Sequence, residues 1–83
     1  MAAPLQAFQA ALAFHQQGLH DQAEPLYRRV LRQDRTHFDS LHNLGLILLE
    51  RGNADEAASL IRRACYQRPN NPEAQNSLGV ARR

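Results

Sequence analysis

The stretch LHNLGLILLERGNADEAASLIRRACYQRPNNPEAQNSLG, residues 41–79, decides the fold because its pair Leu44-Gly45 returns as Leu78-Gly79. The two pairs are 34 residues apart, and the same shift aligns the first half of the chain with the second. The aligned positions are Gly18 with Gly52, Ala23 with Ala57, Leu26 with Leu60, and Arg28-Arg29 with Arg62-Arg63. A period of this length indicates a repeated helix-turn-helix unit.

The first helix of the central unit is predicted from the spacing of its leucines. Apolar residues recur at three- and four-residue intervals over 38–51, as on one face of a helix, at Leu41, Leu44, Leu48 and Leu49. Gly52 is expected to end this helix because glycine tolerates a positive φ.

Asn53 starts the second helix of this unit as a good N-cap, and Glu56 three residues later gives a pattern like a capping box. The helix is predicted over 54–67, with an apolar stripe that contains Ala57, Ile61 and Cys65. The run from Arg68 to Pro72 stops it and begins a further helix, since proline fits a first turn but not a helix interior.

The first unit is a looser copy of the second. Its two apolar stripes are Ala7, Ala10, Ala11, Phe14 and then Ala23, Leu26, Tyr27, Val30, Leu31. Pro25 lies near the start of the second stripe, where it either removes a hydrogen bond or makes the helix begin later, and Leu19 is a poor cap. The sequence predicts an all-α fold of about five helices in one domain over 1–83, with repeats at 4–37 and 38–71 and a partial repeat at 72–83.

Composition agrees with a small globular domain without a membrane span. The chain has 83 residues, 43% hydrophobic and 22% charged, and its net charge of +2 is too small to indicate a nucleic-acid or anionic-membrane partner. Gln6, Gln9 and His15 interrupt the apolar N-terminal run, which argues against a signal peptide. The single cysteine, Cys65, cannot form an internal disulfide, and we expect a cytoplasmic protein.

The central repeat resembles the tetratricopeptide repeat family. The residues that carry the resemblance are Leu41, Leu44-Gly45, Leu48, Ala57, Ile61, Ala64 and Pro69, with leucine and isoleucine in place of the usual aromatic residues. Unit one matches less fully, with Arg35 at the terminal proline position. The resemblance implies a right-handed α-solenoid of antiparallel helix hairpins that binds a peptide or partner helix in a concave groove.

The groove positions implied by the resemblance lie on the first helix of each unit. They are Leu5, Phe8, Leu12, His15 and Gln16, then Asp39, His42, Asn43, Leu46, Leu49 and Glu50, and then Glu73, Asn76 and Val80. Leu12, Leu46 and Val80 are one repeat apart and are expected to form an apolar strip. The positions that match the carboxylate clamp of chaperone-binding repeats are Phe8, Leu12, Asn43, Glu73 and Ser77. Only Asn43 agrees with the clamp, and we expect it to make a packing hydrogen bond instead.

Catalytic, metal and cofactor sites are not predicted. No two of the four histidines have the i, i+4 spacing of metal ligands, and they are interpreted as exposed or turn residues. Cys65 falls on an apolar stripe and is interpreted as a buried small hydrophobe. The arginines of the second helices favour a solvated face with acidic neighbours over binding of RNA or an acidic partner.

Three functional hypotheses follow. The first is a non-catalytic protein-interaction module whose groove holds an apolar peptide or helix. The second is self-association into a homodimer that completes the solenoid, with Leu5, Phe8 and Leu12 exposed. The third is the N-terminal repeat segment of a larger enzyme, because the repeats are similar to those that precede the catalytic domain in bacterial glycosyltransferases.

Overall fold

The structure, a computed structural model that describes residues 3–81, contains five α-helices and no strand over those residues. The helices are α1 (Ala3–Gln16), α2 (His20–Gln33), α3 (Phe38–Glu50), α4 (Ala54–Gln67) and α5 (Pro72–Ala81). The all-α prediction is confirmed. The predicted bounds of α4 agree with the structure, and α3 ends one residue earlier than predicted. Residues 1–2 and 82–83 of the predicted domain lie outside the described residues.

The helices pack as successive antiparallel hairpins. The two most extensive contacts join α1 to α2 and α3 to α4, while α2 packs against α3 across the two units. The last helix, α5, packs mainly against α4 and touches α3. The described residues extend over 35 × 24 × 18 Å, and this arrangement is an all-α helical repeat.

Polar side chains cap three helices where the chain turns. Nδ1 of His37 accepts from the backbone N–H of Ser40, Oδ1 of Asn53 accepts from that of Glu56, and Oδ1 of Asn71 accepts from that of Ala74. These bonds satisfy N–H groups that have no partner within the helix. The predicted capping box is only half formed, because the Glu56 carboxylate bonds the side-chain amide of Asn53 and not its backbone.

The two hairpin turns use glycines in the left-handed region. Gly18 has φ +77° and Gly52 has φ +81°, so both end a first helix in a conformation that other residues rarely adopt. The role predicted for Gly52 is confirmed, and the repeat period extends it to Gly18.

The start of α2 follows one of the two alternatives left open by the sequence. The helix begins at His20, Leu19 makes no side-chain capping bond, and Pro25 lies inside the helix. Proline has no N–H, so the helix loses one backbone hydrogen bond there instead of beginning later. The carbonyl left without this bond belongs to Asp21, four residues earlier, which is exposed, so water can solvate it.

One continuous core joins both hairpins. Its largest fully buried side chains are Tyr27, Leu41, Leu44, Ile47 and Ile61. Burial of a side chain of this size stabilises the fold by about 1.5–3 kcal/mol. Cys65 is buried among them as a free thiol, which confirms its interpretation as a core residue.

As the small residues of the repeated Leu-Gly pair, Gly45 and Gly79 are both predicted to lie where helices approach closely. The prediction is right for only one of them. A β-carbon built at Gly45 would meet Ile61 on α4, whereas a β-carbon built at Gly79 would meet nothing within 4 Å. The close approach predicted at Gly79 is therefore wrong. Gly45 is covered by the helix that follows α3, and no described helix follows α5.

Candidate interaction groove

The predicted groove positions lie on α1, α3 and α5, the first helices of the successive units. They differ widely in exposure. Leu5 and Val80 are the most accessible apolar members, with 61% and 43% of their surface exposed. Leu12, Leu46 and Leu49 are half-buried, so part of each side chain is available at the surface, and Leu49 also packs against the core.

Tyr27 on α2 is hydrogen bonded to two of the predicted groove positions, His15 and Asn43. Its hydroxyl is 3.0 Å from Nδ1 of His15 on α1, and Nδ2 of Asn43 on α3 donates to it at 3.2 Å. The side chain is fully buried, and burial raises the pKa of its hydroxyl. Tyr27 thus joins three helices, and the expectation that Asn43 makes a packing hydrogen bond is confirmed.

His42 is a core residue with little surface for a partner. It is only 7% exposed, and its Nε2 is hydrogen bonded to Oγ of Ser77 on α5 at 2.9 Å. Burial is the main reason that its pKa lies below that of a free histidine. The interpretation of all four histidines as exposed or turn residues is therefore wrong for His42, because a hydrogen bond to α5 makes its burial tolerable.

Phe8 is half-buried and packs within the chain. Its ring centroid lies 4.8 Å from that of His37, at the start of α3, and 6.2 Å from that of Tyr27. The contact with Tyr27 joins α1 to α2, and the contact with His37 joins α1 to the N-cap residue of α3. A partner protein can contact only the part of the Phe8 ring that these contacts leave exposed.

Five of the polar groove positions lie at the surface. Gln16, Asp39, Glu50, Glu73 and Asn76 are all exposed. Glu50 lies 3.4 Å from Nδ1 of His20, which connects the end of α3 to the start of α2. Partly exposed apolar side chains with exposed polar neighbours have the general chemistry of a protein-binding surface.

The second helices carry a network of ion pairs that the repeat pattern did not reveal. The Arg28 guanidinium lies 3.0 Å from the carboxylate of Glu24 and 2.9 Å from that of Glu56 on α4. This guanidinium keeps the pKa of the Glu56 carboxyl below its usual value. Arg51 pairs with both Asp21 and Glu24. Residue spacing within a helix indicates the Arg28–Glu24 pair, but the pairs between helices depend on how the helices pack.

Residues 3–81 contain no group of three or more His, Cys, Asp and Glu side chains that could hold a metal ion. None of the helices in that part of the chain is long and apolar enough to cross a membrane. Burial raises the pKa of the Cys65 thiol, so the side chain stays protonated near neutral pH.

A family model described as Tetratricopeptide repeat matches residues 8–72, which is most of the chain. The chain belongs to the tetratricopeptide repeat family. No curated protein matches the chain. Repeats of this family are typically non-catalytic and mediate protein–protein interaction.

Two positions that match the carboxylate clamp of chaperone-binding tetratricopeptide repeats already have partners within this chain. Asn43 donates to Tyr27, and Ser77 is bonded to His42. A third, Glu73, is an exposed carboxylate, which would repel the carboxylate of a peptide terminus. The terminal carboxylate of a peptide therefore has no complementary charge at these three positions.

Proposed function

We propose that this tetratricopeptide repeat chain is a non-catalytic module that binds an apolar peptide or partner helix along α1, α3 and α5. The observation that carries the proposal is the incomplete burial of the apolar groove positions. Leu5 and Val80 are exposed, and Leu12 and Leu46 are half-buried. Exposed apolar surface bounded by polar residues is typical of sites that bind another protein.

The proposal is tested by comparing two charged variants in a pull-down from lysate followed by mass spectrometry. The groove variant is Leu12→Arg/Leu46→Arg, and the matched control is Tyr66→Arg. Tyr66 lies on α4 and is 84% exposed, so its replacement adds a positive charge outside the groove. Circular dichroism must first show that both variants keep the helix content of the unaltered chain.

Partners that are lost from the groove variant and kept by the Tyr66→Arg control would support binding in the groove. The same partners bound by the groove variant and the unaltered chain would contradict it. A common loss in both variants would also contradict it, because the effect would then follow charge and not position.

Self-association is the second candidate, and the open space at Gly79 favours it. The equivalent glycine, Gly45, is covered by α4, so a helix from a second copy could occupy the corresponding place on α5. Light scattering over a range of protein concentrations tests this candidate. A mass that stays that of a monomer at the highest concentration would exclude it.

We also propose a cytoplasmic location, supported by the free thiol of Cys65, which a reducing compartment preserves. That the repeats precede a glycosyltransferase catalytic domain stays a prediction from the sequence of the repeats. Reading the gene past Arg83 tests it directly.

A further inference from the structure

A pocket of about 390 Å³ lies between the second helices, and it contains none of the predicted groove positions. Its apolar lining comes from three helices: Leu31 on α2, which is half-buried, and Leu44 on α3 and Leu60 on α4, which are buried beneath it and expose little surface. Its volume is within the range of pockets that bind small molecules. The pocket can therefore accept an aliphatic side chain.

The charged lining of the pocket is strongly positive. Four arginines and one glutamate line it, an excess of three positive charges, whereas the whole chain has a net charge of +2. Arg28 is paired with the glutamate, Glu56, at 2.9 Å. The excess therefore comes from Arg32, Arg35 and Arg63, and these three form no salt bridge with any residue in the described part of the chain.

Two of the arginines are held in place by contacts within the fold. Nη2 of Arg63 donates to the backbone carbonyl of Arg35 at 2.9 Å, which ties α4 to the loop that follows α2. Arg28 is held between Glu24 and Glu56. Arginines that are already ordered lose less conformational entropy when a ligand binds.

The chemistry of the lining favours carboxylates over phosphates. A guanidinium matches the planar carboxylate in a bidentate pair, and the leucines offer an apolar contact next to it. No aromatic residue lines the pocket, so bases of a single-stranded nucleic acid have nothing to stack on. The carboxylate of Glu56 also repels a polyphosphate chain.

We propose that this pocket binds an acidic segment of a partner protein, with an aliphatic side chain on the leucines and flanking carboxylates on Arg32, Arg35 and Arg63. These arginines come from α2, the following loop and α4. Carboxylates spaced along a peptide can reach several of them at once. This site is separate from the proposed groove, and its test does not depend on the groove.

The test measures binding of a fluorescein-labelled heptapeptide, made of Asp and Glu residues around a central Leu, by fluorescence anisotropy. The two pocket variants are Arg32→Glu and Arg63→Glu. Their controls are Arg29→Glu and Arg62→Glu, which make the same charge change at exposed positions outside the pocket, on the same helices. A peptide with Ser in place of Leu tests the apolar contact, and an oligouridine of equal charge tests nucleic-acid binding. Circular dichroism confirms the fold of each variant.

We expect each pocket variant to weaken binding of the Leu peptide by about tenfold and each control by less than about twofold. The Ser peptide should bind less tightly than the Leu peptide. Absence of measurable binding, or an equal loss in pocket and control variants, would overturn the proposal. Tighter binding of the oligouridine, lost in the pocket variants, would also overturn it and assign the site to nucleic acid.

Discussion

Gly45 on α3 lies directly against Ile61 on α4, and a β-carbon at Gly45 would come within 2.5 Å of Cγ1 of Ile61. The same β-carbon would lie 3.4 Å from the carbonyl oxygen of Ala57. Ile61 is fully buried, so its side chain has little room to move away. The observed packing of α3 against α4 therefore requires a glycine at position 45.

The substitutions Gly45→Ala and Gly79→Ala should change stability in opposite directions. Alanine is the better helix former by about 1 kcal/mol. At Gly79 nothing opposes this gain, and we expect the free energy of unfolding to rise by about 0.5–1 kcal/mol. At Gly45 overpacking costs roughly 1–3 kcal/mol and outweighs the gain. Urea unfolding of both variants measures this, and a more stable Gly45→Ala would contradict the close approach.

Tyr27→Phe should destabilise the fold, because it removes the hydroxyl that bonds both His15 and Asn43. We expect a loss of about 1–2 kcal/mol in the free energy of unfolding, since two polar groups lose a partner. Tyr66→Phe removes the same atom from an exposed side chain on α4 and should change stability by less than about 0.5 kcal/mol. Equal stability of the two variants would show that the Tyr27 hydroxyl bonds contribute nothing.

The repeat period and the leucine spacing were sufficient to predict all five helices, because both follow from local periodicity. Asn53 was predicted as a cap for the same local reason. The polar contacts were not predictable in this way. Tyr27 appeared only as one member of an apolar stripe, and its bonds to α1 and α3 depend on residues far away in sequence. A tyrosine in a core position does indicate that its hydroxyl needs a partner, but not which one.

Gly79 has the same position in its repeat as Gly45 but different surroundings. The period makes it equivalent to Gly45, yet the reason for a glycine at Gly45 is a contact with the following helix. The burial of His42 was also missed, because its partner Ser77 lies on α5 and a helix-face pattern gives no distance between helices. The alignment of the repeats therefore predicts the helices, but it does not predict which residues lie against a given position on them.

Ser40→Ala should stabilise the chain. Ser40 is fully buried on α3, and among the described residues its Oγ has no hydrogen-bond partner. Removing a buried, unpaired hydroxyl is expected to raise the free energy of unfolding by about 1 kcal/mol. Ser59→Ala is the control, since Ser59 is exposed on α4 and reports helix propensity alone. An increase no larger than that of Ser59→Ala would mean that the Ser40 hydroxyl carries no penalty.

The neutral state of His42 makes stability depend on pH. Burial lowers the pKa of His42 in the folded chain, and the nearby carboxylates of Asp39 and Glu73 offset only part of this effect. In the unfolded chain the pKa returns to about 6.5, so the unfolded state binds a proton at higher pH than the folded state. The contribution of His42 to stability is therefore fully present above that pH and decreases as the pH falls through it.

The Tm of the unaltered chain should decrease between about pH 7.5 and pH 5.5, and His42→Gln should make this decrease smaller. Glutamine does not titrate, and its amide can still form a hydrogen bond with Ser77. Burial also lowers the pKa of His15, so a residual slope is expected in His42→Gln and should diminish further in His15→Gln/His42→Gln. Thermal unfolding followed by circular dichroism across this range measures the three slopes. If His42→Gln has the same slope as the unaltered chain, the burial of a neutral His42 does not control the pH dependence.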